Sequence, residues 1–344
     1  MAFEELFSQA LNRRSQLEKK LAQEHTDSWR VFHGVAEGRA GLSADRYGSC
    51  LVAQSFREPL SSEELGVLSE YAKQEALKLL VWDKKLLAIE QSERKRTGEK
   101  GVFAPFLCHE EGQIFYASDR PRGLDPYFYL DFRAARRFLR RNVKPGESVL
   151  NLFSYTCTAG AAACFGGGTS VNVDFGRWCL EVGKENAKLN NLQSKMEFIN
   201  SDFFPAIWQI SGLGIKGRRA KRPCEKIAPC RFDYIVLDPP TAAKSYYGKV
   251  DIAGDYPSLL KPCLASLKDG GTLIASNHAA DVSWEEWRRI IFRTAEKAGF
   301  TLENVRMLPL EEDFPYSGSE PLLKLAIIKK AGICCHNGGN CERI

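Results

Sequence analysis

Apolar stretches in the second half of this chain are short, nearly continuous and evenly interrupted. Ser148–Phe153, Ser170–Phe175, Met196–Asn200 and Tyr234–Leu237 each carry Asn, Asp or Ser at or next to the carboxyl end (Ser154, Asp174, Asn200, Asp238), the pattern of strands buried on both faces. Between them the pattern predicts helices, the first over Ala161–Phe165. After Tyr234–Leu237 it predicts a helix from about Asp255 to Leu267, a Gly270-Gly271 turn, a strand over Thr272–Ser276 and a helix over Ser283–Ala298. Ser283 and Glu286 have the spacing of a capping box. The final strands, Thr301–Leu310 and Leu323–Lys329, are joined by a loop too short for a crossover helix and are expected to be antiparallel. The prediction is an α/β domain: a mostly parallel seven-stranded sheet with one antiparallel strand.

With 344 residues, the chain exceeds a typical single core. Residues 1–120 are expected to form a helix plus a small α/β domain, 121–331 the main sheet, and 332–344 a Cys-rich tail. The charges Arg13 and Arg14 interrupt Phe3–Leu21, so that segment predicts a helix with an exposed basic face (Arg13, Arg14, Lys19, Lys20) rather than a membrane span.

Candidate chemistry collects at the predicted strand tips. Asp238-Pro239-Pro240-Thr241 follows an apolar strand, where ligands bind in an open parallel sheet. The prolines stiffen the turn and remove two donors. One carboxylate with free carbonyls suits the edge of a nucleobase. Asn151 and Phe153 lie toward the end of the first strand, and Ser154, Tyr155, Thr156 and Gly160 belong to the loop that follows; all are candidate cofactor contacts. Asp174, about twenty residues on, suits two ribose hydroxyls. Asp202 suits an adenine amino group, with Phe203 packing on the base. The first loop lacks G-x-G-x-x-G, and the one formal match, Gly212-x-Gly214-x-x-Gly217, neither follows a strand nor opens a helix. Adenosine without a phosphate fingerprint points to S-adenosyl-L-methionine.

VLNLFSYTCTAGAAA, VDFGRWCLEVGKENAKLNN, NSDFF, IVLDPPTAAKS and GGTLIASN resemble the successive motifs of Rossmann-type methyltransferases that modify large-subunit ribosomal RNA. RVFHGVAEGRAGLSADRYGSCLVAQ resembles the small domain preceding the catalytic one in that family. YLDFRAARRFL is similar to its Gly-x-Phe-Leu-Asp-x-Arg segment, which implies that Asp131 and Arg133 stand on the cofactor side. The resemblance is strongest to the guanine-N7 half of the bifunctional large-subunit enzyme. It implies direct in-line methylation of guanine N7 of 23S rRNA, with Asp238, Pro239, Pro240, Thr241 and Asn277 as catalytic residues. In similar cytosine-C5 enzymes a Ser-Cys dipeptide supplies the required thiolate; here it is Ser276-Asn277. The alternatives are a cytosine-C5 enzyme using another Cys, a small-molecule methyltransferase and an inactive RNA-binding scaffold. Two departures from the family pattern are Ala242, where an aromatic could stack on an extruded base (Tyr246 or Tyr247 is the substitute), and Cys157, where many relatives have Gly.

Charge and cysteine content refine this picture. A net charge of +5 does not identify a nucleic-acid binder, but Lys216, Arg218, Arg219, Lys221 and Arg222 cluster before the Asp-Pro-Pro strand and are candidate RNA contacts. Arg94-Lys95-Arg96 forms a second cluster. Cys50, Cys164, Cys179 and Cys263 lie among apolar neighbours, as buried thiols of a reducing, cytoplasmic compartment would. Cys334-Cys335-His336 and Cys341 lack the spacing of a zinc site, and no metal is expected. His278 is a minor candidate for target contact.

Overall fold

The computed structural model describes residues 1–86, 105–118, 126–222 and 224–332. Helix α1 (Phe3–Gln23) buries Phe3, Phe7, Ala10, Leu17 and Leu21 along one stripe. The stripe packs on a four-stranded sheet ordered β1 (Ser28–His33), β2 (Leu42–Tyr47), β3 (Cys50–Ser55) and β4 (Lys78–Asp83). Strand β4 joins parallel to β3 after helix α2 (Ser62–Gln74). All six positions of β3 are buried, as befits a central strand covered on both faces.

The basic face of α1 is not wholly exposed as expected. Arg14 is 5% exposed and reaches Glu37 at 2.6 Å and the Asp313 carbonyl at 3.2 Å. An enclosed carboxylate needs a partner, and Glu37 draws this guanidinium inward.

The hairpin β5 (Pro105–Glu110) and β6 (Gln113–Ser118) bridges the two units. His109 N donates to Asp27 on one side; Ile114 N and Tyr116 N donate to Asn190 and Asn186 on the other. Next come α3 (Arg133–Asn142), β7 (Ser148–Leu152), α4 (Thr158–Phe165), β8 (Thr169–Asp174), α5 (Arg177–Leu189), β9 (Met196–Asn200) and α6 (Phe203–Ile210). The chain continues through β10 (Phe232–Leu237), a small hairpin β11 (Ala242–Lys244) and β12 (Lys249–Asp251), then α7 (Tyr256–Ser266). Strand β13 (Leu267–Asn277), α8 (Trp284–Lys297), β14 (Leu302–Leu308) and β15 (Lys324–Lys330) complete the domain.

The main sheet has the order β14-β15-β13-β10-β7-β8-β9. Only β15 is antiparallel to its neighbours. Strand β13 begins earlier than expected, because Gly270 (φ +72°) forms a bulge within it rather than a separate turn. Ser283 caps α8 by accepting from Glu286 N at 3.2 Å.

Asp313 joins the units. Its carboxylate accepts from Arg133 at 3.0 Å and from Arg30 N of β1 at 2.8 Å, while Arg133 also donates to the Ser28 carbonyl at 2.6 Å. No described helix is long and apolar enough to cross a membrane, and no described cluster of ligating side chains could hold a metal. Arg94-Lys95-Arg96 and the Cys-rich tail lie outside the described residues.

Candidate functional site

The strand order reverses between β7 and β10, so the crevice at their carboxyl ends is the topological switch point of the sheet. The β7–α4 loop on one side of it has an unusual backbone. Phe153, Tyr155 and Cys157 all take left-handed conformations (φ +56°, +48° and +62°), which L residues adopt only where the surroundings enforce it. Cys157 occupies a conformation that favours glycine, and its side chain is housed because position 183 is glycine: a Cβ there would sit 2.5 Å from Cys157 Sγ. Thr156 Oγ1 fixes the loop by donating to the Tyr127 carbonyl at 2.6 Å.

Asp174, at the tip of β8, accepts from Tyr155 N at 2.9 Å and Gly176 N at 2.7 Å. Burial raises its pKa, against the pull of these two amides. A carboxylate has about four acceptor positions, so two remain for a diol. Asp202 caps α6 through Phe204 N and lines a cavity of about 370 Å³ with Asn200, Ser201, Arg222, Cys224, Tyr246 and Tyr247. Both carboxylates therefore stand at the carboxyl ends of neighbouring parallel strands, Asp174 on β8 and Asp202 just past β9.

Other candidates take different places. Phe203 is buried and stacks on Phe153 with ring centroids 4.8 Å apart, so its face is not free for a base. Phe175, next to Asp174, is 71% exposed and is the aromatic with an open face at this edge. The sequence offered it in Val-Asp-Phe, but alternation alone could not show that the ring lies past the end of the strand. Asn151 is buried and donates to Asn172 Oδ1 at 2.9 Å, tying two strands together. Gly160 serves helix–sheet contact, since a Cβ there would come within 2.1 Å of Asn172 Oδ1. Ser154 is buried beside Cys157 Sγ. Arg133, expected on the cofactor side, is fully enclosed by Asp313, Ser28 and Glu110 and has no access to the crevice. Asp131 lines a second cavity, between the two units.

At the tip of β10, Asp238 accepts from Ser276 Oγ. Burial lifts its pKa to about 6; the Ser276 hydrogen bond opposes this, and nearby Asp131 adds to it. Pro239 is buried and Thr241 exposed, with the Thr241 carbonyl accepting from Ile252 N. Asn277 is enclosed; it donates to the Ile252 carbonyl at 3.2 Å and accepts from Ala279 N at 2.9 Å. It pins the β11–β12 hairpin instead of facing a substrate. His278 is half-buried, and burial favours its neutral form, with Asp131 opposing and Lys324 assisting. Among the described cysteines only Cys224 and Cys230 escape burial; the Cys263 thiol is pushed well up by burial.

The basic loop is exposed and lies against the hairpin. Arg222 sits 5.1 Å from the Tyr246 ring centroid, Arg219 sits 5.2 Å from that of Trp208, and Tyr246 OH donates to the Arg218 carbonyl at 3.0 Å. Lys216 and Lys221 point to solvent in the same segment. Tyr247 is buried; Tyr246 is half-exposed.

A family model described as S-adenosylmethionine-dependent methyltransferase matches residues 108–317. YwbD of Bacillus subtilis, named provisionally as a ribosomal RNA large subunit methyltransferase, is 26% identical over 94% of this chain and 80% of its own length. Ribosomal RNA large subunit methyltransferase I of Citrobacter koseri is 26% identical over 92% of this chain and 77% of its own. The crystal structure of SMU.776 in complex with SAH superposes with a TM-score of 0.73 at 23% identity, covering 95% of this chain and 80% of that one.

Proposed function

Because the chain belongs to the S-adenosylmethionine-dependent methyltransferases, we propose that it methylates a base of large-subunit ribosomal RNA. The observation that carries this reading is the placement of Asp238-Pro-Pro-Thr241 at the switch point, on the strand beside the one that opens the cofactor loop. Kinship supports the RNA: the relatives named for large-subunit rRNA align over more than nine-tenths of the chain, the N-terminal unit included. Asp174 would hold the ribose and Asp202 the adenine edge, while the β7–α4 loop closes over the methionine end. The cofactor supplies an electrophilic sulfonium methyl group. Asp238 and the carbonyls of the stiff Pro-Pro turn would position the base, and such positioning accounts for much of the rate in this kind of transfer.

The methylated atom is a finer matter. The relatives reported above do not carry the name of the bifunctional enzyme, so they lend guanine N7 no support and shift weight to the cytosine-C5 alternative within the same resemblance. On that alternative the thiol comes from outside the tip of β13, where Asn277 is enclosed and bonded at both ends. RNA containing 5-fluorocytidine would then trap the enzyme through a peptide that excludes residues 276–277.

The test of the function is transfer of labelled methyl from S-adenosylmethionine into large-subunit rRNA from a strain lacking the gene. We expect label in that RNA with the wild type and loss of about a hundredfold or more in rate with Asp238→Ala. Label confined to small molecules would overturn the assignment.

A further inference from the structure

The second cavity, about 190 Å³, is walled by both units and shares no lining residue with the cavity at Asp202. Its volume lies below the ~300–1,000 Å³ of sites for drug-sized ligands, so it suits one flat ring system. Phe56, Phe128 and Phe314 give it aromatic walls, and Arg30, Gln54 and Asp131 give it polar edges. From these features, and resting on the RNA reading above, we infer that it is the pocket for the extruded nucleobase, with the N-terminal sheet supplying one wall of the active site.

The polar edges are fixed in place before any ligand arrives. Arg30 is held by the buried Asp45 at 2.8 Å and 3.0 Å and lies 4.7 Å from the Phe314 ring centroid. Burial works against its charge, yet Asp45 raises its pKa, so the guanidinium stays protonated. Its bonds to Asp45 and His33 use three of its five N–H groups. Gln54 is 5% exposed and donates to Asp45 at 3.0 Å, which leaves its carbonyl oxygen without a partner among the described residues. No other described residue hydrogen-bonds the Asp131 carboxyl group, whose pKa burial raises against the pull of Arg30 and Arg136. The cavity thus offers fixed donors, open acceptors and the half-exposed ring of Phe56 at its rim, the combination that reads a base edge and stacks its plane.

Its location fits the chemistry. Tyr129, which lines the cavity, packs against Tyr155 of the β7–α4 loop with ring centroids 5.4 Å apart. The cavity therefore adjoins the loop that opens the crevice beside the Asp-Pro-Pro turn. A base extruded from single-stranded RNA would reach the turn through this cavity, while the phosphates run outside it.

The inference is tested with Phe56→Ala, whose side chain is 49% exposed at the rim, and with the isosteric Asp131→Asn. Phe56→Ala is expected to raise KM for large-subunit rRNA about tenfold, the usual effect of losing one base-stacking ring. Asp131→Asn is expected to lower kcat about tenfold through a lost charge-assisted hydrogen bond. Both should leave calorimetric affinity for S-adenosylhomocysteine unchanged. Affinity falling in step would assign the cavity to the cofactor and overturn the inference, as would rRNA kinetics like those of the wild type. Ultraviolet cross-linking of single-stranded RNA carrying 4-thiouridine separates this inference from the parent reading. Cross-links at Phe56 or Tyr129 from an enzyme that transfers no methyl to rRNA would retain the base pocket and discard the rRNA substrate. Cross-links confined to residues 216–226 would discard the pocket.

Discussion

Asp174 and Asp238 are both raised by burial, yet they are placed for different work. Asp174 already holds two loop amides, and Asp174→Ala would leave them and the ribose hydroxyls without an acceptor. Affinity for S-adenosylhomocysteine should fall by on the order of 1–3 kcal/mol; calorimetry showing no change would remove Asp174 from the cofactor site. Asp238, lifted from 3.8 to about 6, binds its proton more tightly in the folded state than in the unfolded one. Its contribution to stability is therefore complete below pH 3.8 and is lost as pH rises through about 6. Asp238→Asn keeps an acceptor for Ser276 and lacks that loss. At neutral pH it should be more stable than the wild type by on the order of 1–3 kcal/mol, though less active. Urea titrations across this window check the sign, and a mutant less stable at neutral pH would contradict it.

The strands of the main sheet were legible in the apolar runs: Met196–Asn200 has the predicted bounds, and the other predicted strands overlap those observed. Boundaries moved where tertiary contact overrode local pattern, as at the Gly270 bulge. The β11–β12 hairpin was not legible, because its strands are three residues each and Asn277, more than twenty-five residues on in sequence, holds the hairpin's end. The positions of Asp174, Asp202 and Asp238 at or just past strand ends were readable, since the apolar runs stop there. The roles of Asn151, Gly160, Arg133 and Asn277 were not, because each depends on a partner distant in sequence. Asn277→Ala should free the Ile252 carbonyl and Ala279 N, lower stability by about 1–3 kcal/mol and leave cofactor affinity intact. Thermal unfolding with parallel calorimetry checks both halves; a stable mutant with lost activity would return Asn277 to the chemistry.

Two units act as one molecule because a buried charge network crosses their contact. Asp313→Ala would take one of two carboxylates from the enclosed Arg133, which keeps Glu110 and the Ser28 carbonyl, and would free Arg30 N, at a cost of about 1–3 kcal/mol. Unfolding in urea should show that loss, and a neutral effect would mean that the units are joined by other contacts. The basic loop is exposed beside the β11–β12 hairpin. Charge reversal at Arg218, Arg219 and Arg222 should weaken RNA binding and flatten the slope of log affinity against log salt; an unchanged slope would make it ordinary solvated surface. The central claim, base methylation of large-subunit rRNA, is tested most directly by mass spectrometry of nucleosides from that rRNA. A strain lacking the gene should be missing one methylated base, restored by the wild-type chain and not by Asp238→Ala. An unchanged set of methylated nucleosides in the deletion strain would contradict the account.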